Sequence, residues 1–300
     1  MLETKHLVIF RTIAEVGSFT RAAMRLGMSQ PAISQQIRAL EEQAGVPLLV
    51  RRGRSARPTP AGEMLLHYAR QVLTKLGEVE RALGEERGGQ AGLLRIGAGG
   101  AVCQHLLPGV LGEFRRRFPK VDLEILSGHT DRTLERLKAA EVDVGVVTLP
   151  IRAPRIRVTE IGRDELLVVL PAGHALAEKS RLRPPDLIGQ PFIIYERQTR
   201  ATDLILGALL ADGVFPRVVM EMDHLEATKA MVAAGLGMAV LPEWTVRAEL
   251  ANETLVARPL GKAGLWRSWG LAMQDELSTP VAARAFVRMC ADWLSRAFAA

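Results

Sequence analysis

The pattern of apolar residues changes its period at a glycine-containing break, and nothing else in the sequence constrains the fold as strongly. The break runs from Gly84 to Gly92 and holds Gly88-Gly89. Before it, Leu7, Phe10 and Ala14, then Ala22, Ala23 and Leu26, then Ile33, Ile37, Leu40 and Ala44 recur at helical spacing. After it, short apolar runs at Leu93–Ile96, Val121–Leu126, Val142–Thr148, Leu166–Leu170 and Phe192–Tyr195 alternate with helical stretches at His105–Phe118, Arg132–Ala139, Thr202–Leu210 and Leu225–Ala234. A helical head followed by an α/β body with largely parallel sheets is the architecture these periods predict. The 300 residues suit two or three such units.

Charge separates the same two parts. Residues 1–70 hold 10 Lys/Arg against 5 Asp/Glu, so +5 of the total formal charge of +6 sits in the first quarter. A basic head on a near-neutral body is expected of a chain that meets a polyanion through the head.

The head reads as three helices and a hairpin. Gly17 ends the first helix, Ser18 caps a short second one, and Gly27 stops that. Ser29 caps a third, which tolerates Pro31 in its first turn and stops at Gly45 before Pro47. Two helices joined by a tight turn form the helix-turn-helix that places its second helix in a DNA major groove. With Ile33, Ile37 and Leu40 inward, the helical wheel turns Pro31, Ser34, Gln35 and Arg38 to the other side. That face carries base-reading chemistry, because Arg bonds guanine bidentately, Gln bonds adenine, and Ser serves phosphates or base edges. The next run, Leu48 to Pro58, reads as two short strands around a turn and holds Arg51, Arg52, Arg54 and Arg57 with no acid. Such a wing supplies phosphate contacts and salt-sensitive affinity.

Thr59 as N-cap and Pro60 at the first helical position then open a long helix. Its Leu65, Ala69, Val72, Leu76, Val79 and Leu83 are spaced 4, 3, 4, 3 and 4 apart, the repeat of a coiled-coil seam. A seam this regular predicts pairing with a second copy, and a symmetric dimer sets two recognition helices on two half-sites.

Composition excludes several classes. With 48% apolar and 24% charged residues the chain is neither disordered nor fibrous. Cys103 and Cys290 are too few for a disulfide scaffold and suit a reducing cytoplasm. The longest strongly apolar run, Ala230–Pro242, falls short of the ~20 residues that span a bilayer, and Arg11 interrupts the apolar start, so neither membrane insertion nor export is expected. The six histidines and two cysteines offer no metal-ligand spacing, and no Gly-x-Ser-x-Gly elbow occurs, so neither a metal, a cofactor nor catalysis is expected. Gly97-Ala98-Gly99-Gly100-Ala101-Val102 follows a strand but puts Val102 where a dinucleotide site wants its third glycine. Cys103 beside this loop reads as a small packed residue in preference to a redox thiol.

The runs Gly17-Ser18-Phe19-Thr20-Arg21-Ala22-Ala23, Ser29-Gln30-Pro31-Ala32-Ile33-Ser34-Gln35-Gln36-Ile37, Gly45-Val46-Pro47-Leu48-Leu49 and Thr59-Pro60-Ala61-Gly62 resemble the N-terminal domain of LysR-type bacterial transcriptional regulators. Phe118-Pro119, Val142 to Val147, Met231 to Gly237 and Val240-Leu241-Pro242 resemble that family's effector domain, over a more variable stretch. The resemblance implies an N-terminal winged helix-turn-helix over residues 1–58, a linker and dimerisation helix with hinge over 59–90, and a two-lobed, periplasmic-binding-protein-like α/β effector domain over 91–300. Lobe I would take about 91–163 and 267–300, and lobe II about 164–266.

It implies double-stranded promoter DNA as partner, with Gln30, Pro31, Ser34, Gln35 and Arg38 against it and Arg51, Arg52, Arg54 and Arg57 on the wing. It also implies a homodimer that pairs into a homotetramer, with RNA polymerase as a further partner. A small-molecule effector, with anionic compounds among the candidates, would lie in a cleft lined by Gly99, Gly100, Ala101, Val102, His129, Thr130, Thr148, Thr199, Thr202 and His224. The threonines offer hydroxyl donors there, although each equally suits a cap or loop hydroxyl satisfying its own backbone. A dinucleotide enzyme and a solute-binding protein are the rival readings, and DNA binding by the whole chain separates them.

Overall fold

The computed structural model of the chain describes residues 3–52, 55–86, 92–274 and 280–299. It has two compact units, Met1–Arg87 and Gly88–Ala300.

The first unit holds α1 (Thr4–Val16), α2 (Phe19–Leu26), α3 (Gln30–Ala44), a hairpin of β1 (Leu49–Arg52) and β2 (Ser55–Pro58), and the long α4 (Pro60–Glu86). The first three helices stop at Gly17, Gly27 and Gly45, each in the left-handed region at φ 66°, 62° and 70°, where a side chain would be strained. Phe10, Ile13, Ala22, Ile33, Ile37 and Leu40 fill the core between them, joined by Leu48 and Ala56 of the hairpin segment and Leu66 of α4. Alanines at positions 22 and 23 let α2 pack closely on its neighbours.

The second unit runs β3 (Gly92–Ala98), α5 (Gly100–His105), α6 (Leu107–Arg117), β4 (Val121–Ser127), α7 (Thr130–Lys138), β5 (Val144–Thr148), β6 (Ile156–Pro171), β7 (Pro191–Tyr195), α8 (Arg200–Ala211), β8 (Arg217–Met222), α9 (Leu225–Ala233), β9 (Ala239–Pro242), α10 (Arg247–Ala251), β10 (Leu255–Pro259), β11 (Trp266–Gln274) and α11 (Val281–Ala299). Seven strands form one sheet in the order β10-β6-β11-β5-β3-β4, with β9 also on β6, while β7 and β8 pair separately.

The long strand β6 is the spine. Its first part, to Glu165, pairs with β11, and its last part, from Leu166, pairs with β9 and β10. Around the first part lies a core of Leu94, Ile96, Phe114, Val144, Leu271 and Phe286. Around the second lies another of Leu166, Val168, Phe192, Leu209 and Val240. One chain direction therefore feeds two hydrophobic cores, the signature of a two-lobed domain.

One expectation needs correction. The sheets are mixed: β3 pairs in parallel with β4 and β5, and β7 with β8, but β6 is antiparallel to β9, β10 and β11, and β11 to β5. A chain that crosses from one core to the other and returns must lay its returning strand against the outgoing one, and β11 beside β6 does this. The helix expected over His105–Phe118 is present as the second of two helices that meet at Leu106, α5 and then α6. Pro108 lies in the first turn of the second, where its missing amide costs nothing; inside a continuous helix it would break the ladder.

Candidate DNA interface and effector cavity

The third helix is set by its caps and its core face. Ser29 accepts the Ala32 amide at 3.3 Å, and Ile33, Ile37 and Leu40 are buried. Gln30, Pro31, Gln35 and Arg38 are exposed along the opposite side. Ser34, expected among them, is buried, and its hydroxyl accepts the Gln30 side-chain amide at 3.0 Å. It sits about 100° round the wheel from Ile33, at the margin of the face, where packing decides.

The hairpin pairs Leu49 with Pro58, Val50 with Arg57, Arg51 with Ala56 and Arg52 with Ser55. Arg57 is exposed; Arg54 and the side chains of Arg51 and Arg52 lie outside the described residues. Three contacts fix the hairpin to the helices. The Ala56 amide donates to Gly17 O at 2.9 Å, Thr59 Oγ1 to Pro47 O at 2.7 Å, and the Leu48 and Leu49 amides both donate to Glu41 Oε1, at 2.8 and 3.1 Å. The carboxylate of Glu41 in the last turn of α3 thus pins the entry to the wing, a role that no sequence pattern announces. The wing is held to the recognition helix by charge-assisted bonds.

On α4, the six seam residues divide. Ala69 is buried and Leu65 packs half-buried against the head's own core. Val72, Leu76 and Val79 are exposed at 46%, 40% and 56%, and the side chain of Leu83 lies outside the described residues. Met64 and Tyr68, which the heptad count missed, are exposed at 61% and 58%. The outward apolar stripe is therefore Met64, Tyr68, Val72, Leu76 and Val79. A turn of helix is long enough for its inner neighbours to be claimed by the intramolecular core.

In the second unit a cavity is lined by Gly99, Gly100, Ala101, Val102, His129, Thr130, Thr148, Thr199 and Thr202, nine of the ten residues expected there. These are the starts of α5, α7 and α8 and the end of β5, where an open α/β sheet presents backbone amides. The threonine hydroxyls are mostly committed. Thr199 Oγ1 accepts the Thr202 amide at 3.2 Å and donates within the same turn, Thr202 Oγ1 donates to Glu196 O at 2.7 Å, and Thr130 Oγ1 accepts the Thr148 amide at 2.9 Å. They shape the wall.

The tenth residue, His224, is elsewhere. It precedes α9, and its Nδ1 accepts the Ala227 amide at 3.4 Å, so it is a helix cap.

The cavity also contains residues that no motif announced: Tyr195 at the end of β7 and Glu196 just after it, Arg200 of α8, Trp244, and Arg267 and Trp269 of β11. Arg267 is 8% exposed and bonds Asp164 through Nε at 3.0 Å and Nη2 at 2.5 Å, with its guanidinium 4.3 Å over the Trp269 ring. Trp244 Nε1 donates to the same carboxylate at 2.8 Å. Arg200 bonds Asp131 Oδ1 at 2.8 Å. Burial pushes the Glu196 carboxyl and the Tyr195 phenol up from their usual values. The Cys103 thiol is also pushed up by burial, and its Sγ lies 3.5 Å from Ala98 O, an environment opposite to that of a reactive thiolate.

Residues 4–63 match the family model "Bacterial regulatory helix-turn-helix protein, lysR family", and residues 87–295 match "LysR substrate binding domain". The chain belongs to the LysR family of bacterial transcriptional regulators. AlsR of Bacillus subtilis, an HTH-type transcriptional regulator, is 32% identical over 284 residues and 93% of each chain is covered. A full-length OxyR variant from Pseudomonas aeruginosa superposes with a TM-score of 0.72 at 25% identity, covering 98% of this chain and 95% of its own. Full-length CbnR in complex with its target DNA shares the fold, with a TM-score of 0.70 at 24% identity over 96% of this chain and all of that one. This LysR-type protein is thus a DNA-binding, effector-responsive regulator of transcription rather than an enzyme. Among the described residues no group of His, Cys, Asp and Glu is arranged to hold a metal ion, and no helix is long and apolar enough to cross a membrane.

Proposed function

We propose that this regulator reads promoter DNA through Gln30, Pro31, Gln35 and Arg38 of α3. The wing arginines at 51, 52, 54 and 57 hold phosphates, and the effector binds in the cavity that begins at Gly99 and Gly100. The observation that carries the reading is the solvent-facing row of Gln30, Pro31, Gln35 and Arg38 on a helix whose other face is locked in the core of a basic unit. Arg and Gln on such a row bond purine edges in the major groove, while wing cations supply affinity independent of sequence.

Two copies of the chain pair through the stripe on α4, because five large apolar side chains in a row on one helix are costly to leave in water. A dimer sets its two α3 helices on half-sites of a pseudo-palindrome. Association into a tetramer, contact with RNA polymerase and a cytoplasmic location belong to the same reading, and the two thiols fit a reducing compartment.

The test is binding of the full chain to labelled duplex promoter fragments across a range of salt. Binding with a steep loss of affinity as salt rises is expected. Indifference to duplex DNA at low ionic strength, over every fragment tried, overturns it.

A further inference from the structure

The cavity's charges do not suit a ligand whose main handle is an anion. Of its two arginines, Arg267 is held by Asp164 and Arg200 by Asp131, so each cation already faces a carboxylate. Glu196 is different. Among the described residues its carboxylate accepts one hydrogen bond, from the neutral Tyr195 hydroxyl at 3.2 Å.

That carboxylate is held in place at a cost. Glu196 lies in the left-handed region, at φ 51°, which a residue with a Cβ avoids. Its backbone amide is tied to Met222 O at 2.7 Å and its carbonyl accepts the hydroxyls of Thr199 and Thr202. A Cβ placed on Gly100 would lie 3.9 Å from Glu196 Oε1, so the missing side chain at Gly100 leaves the space before the carboxylate open. The indole of Trp244 and the indole of Trp269 line the same cavity with Ile205 and Val240.

Building on the reading of this cavity as the effector site, we propose that its ligand carries a protonated amine bound by Glu196, with an apolar or aromatic body against Trp244 and Trp269. Aromatic faces favour a nearby cation as well as an apolar body. The amides at the starts of α7 and α8 remain able to take an anionic group of the same molecule, so a zwitterion fits as well as a simple amine.

Binding should follow pH. Burial raises the Glu196 carboxyl, and an ammonium beside it favours the ionised form, so binding expels a proton and tightens as pH rises through the raised value. The groups facing Glu196 are Tyr195, His129, Asp223 and Arg267. Because these other charged and titratable groups face the same carboxylate, the substitution at Glu196 is the deciding measurement.

The probes are phenethylamine, L-phenylalanine and 3-phenylpropanoate, which share a ring and differ in charged groups. Each is titrated by calorimetry and thermal shift against the full chain, its E196Q variant and a Gly100→Leu variant. A Cβ at position 100 meets its neighbours at ordinary distances, the nearest being the Tyr195 hydroxyl at 3.8 Å, and the further carbons of leucine are meant to occupy the space before Glu196.

Both amine-bearing probes should bind the native chain, weaken about tenfold or more with E196Q, and be lost with Gly100→Leu. Preference for 3-phenylpropanoate, or amine binding unchanged by E196Q but lost with Gly100→Leu, overturns the amine while leaving the cavity as the effector site. Probe binding that neither substitution moves overturns the cavity reading with it. No binding of either amine overturns the proposal.

Discussion

Arg267 and Asp164 stand directly opposite one another on β11 and β6 and form a two-point ion pair, Nε to Oδ1 at 3.0 Å and Nη2 to Oδ2 at 2.5 Å. Both are almost wholly buried, at 8% and 4% exposure. An ion pair in this position adds little net stability, because desolvation offsets the attraction, but breaking it strands one charge. Asp164→Ala should therefore destabilise the second unit by about 3–5 kcal/mol in urea unfolding of the full chain. Adding Arg267→Met should recover part of that loss. A single variant within about 1 kcal/mol of the native chain would show that water reaches the guanidinium.

Gly62 is where α4 meets the entrance to the wing. A Cβ there would lie 2.1 Å from Leu48 O, a backbone atom that also accepts the Thr59 amide at 3.0 Å. Gly62→Ala must push helix and hairpin entry apart. We expect a loss of about 1–3 kcal/mol in the head together with weaker DNA binding, read by denaturation and by gel shift of one preparation. A variant as stable as the native chain would mean that α4 begins elsewhere.

Arg38→Ala removes an exposed guanidinium from the outer side of α3 and no part of the core. Its predicted cost is about 1–3 kcal/mol on the cognate site, with base preference relaxed at one position of each half-site. Competition among single-base operator variants checks it, and unchanged discrimination would remove Arg38 from base reading.

Replacing Arg51, Arg52 and Arg54 together by alanine should act differently, weakening binding to every sequence and flattening the dependence of affinity on salt. The slope of log affinity against log salt is the observable, and an unaltered slope would mean these side chains leave phosphates alone.

The head was legible because its constraints are local. Caps at Ser18 and Ser29, glycine stops and the Ile33, Ile37, Leu40 row each lie within one turn of what they control. The pattern is ambiguous where a neighbour distant in sequence decides the outcome: Ser34 sits at the margin of its helix face, Leu65 packs against the head's own core, and Ala69 is buried in the same unit. In the cavity, the strand-end loops were visible as glycines and threonines next to apolar runs. Arg267 and Asp164 were not, since 103 residues separate them and only the antiparallel return of β11 along β6 joins them. His224 shows the converse limit, because a histidine before a helix fits a cap and a ligand contact equally well until its partner is known.

The stripe on α4 separates pairing from folding within one helix. Leu76 is 40% exposed, so Leu76→Asp places its carboxylate in water when the chain is alone and inside an apolar seam when two copies pair. Ala69 is 1% exposed in the head's own core, and Ala69→Asp buries the charge whether or not a partner is present. The first variant should sediment as a folded monomer with native-like helicity, and with its DNA affinity reduced because two half-sites are no longer engaged together. The second should lose the head's thermal transition. If Leu76→Asp keeps the sedimentation of the native assembly, the two chains meet through some other surface.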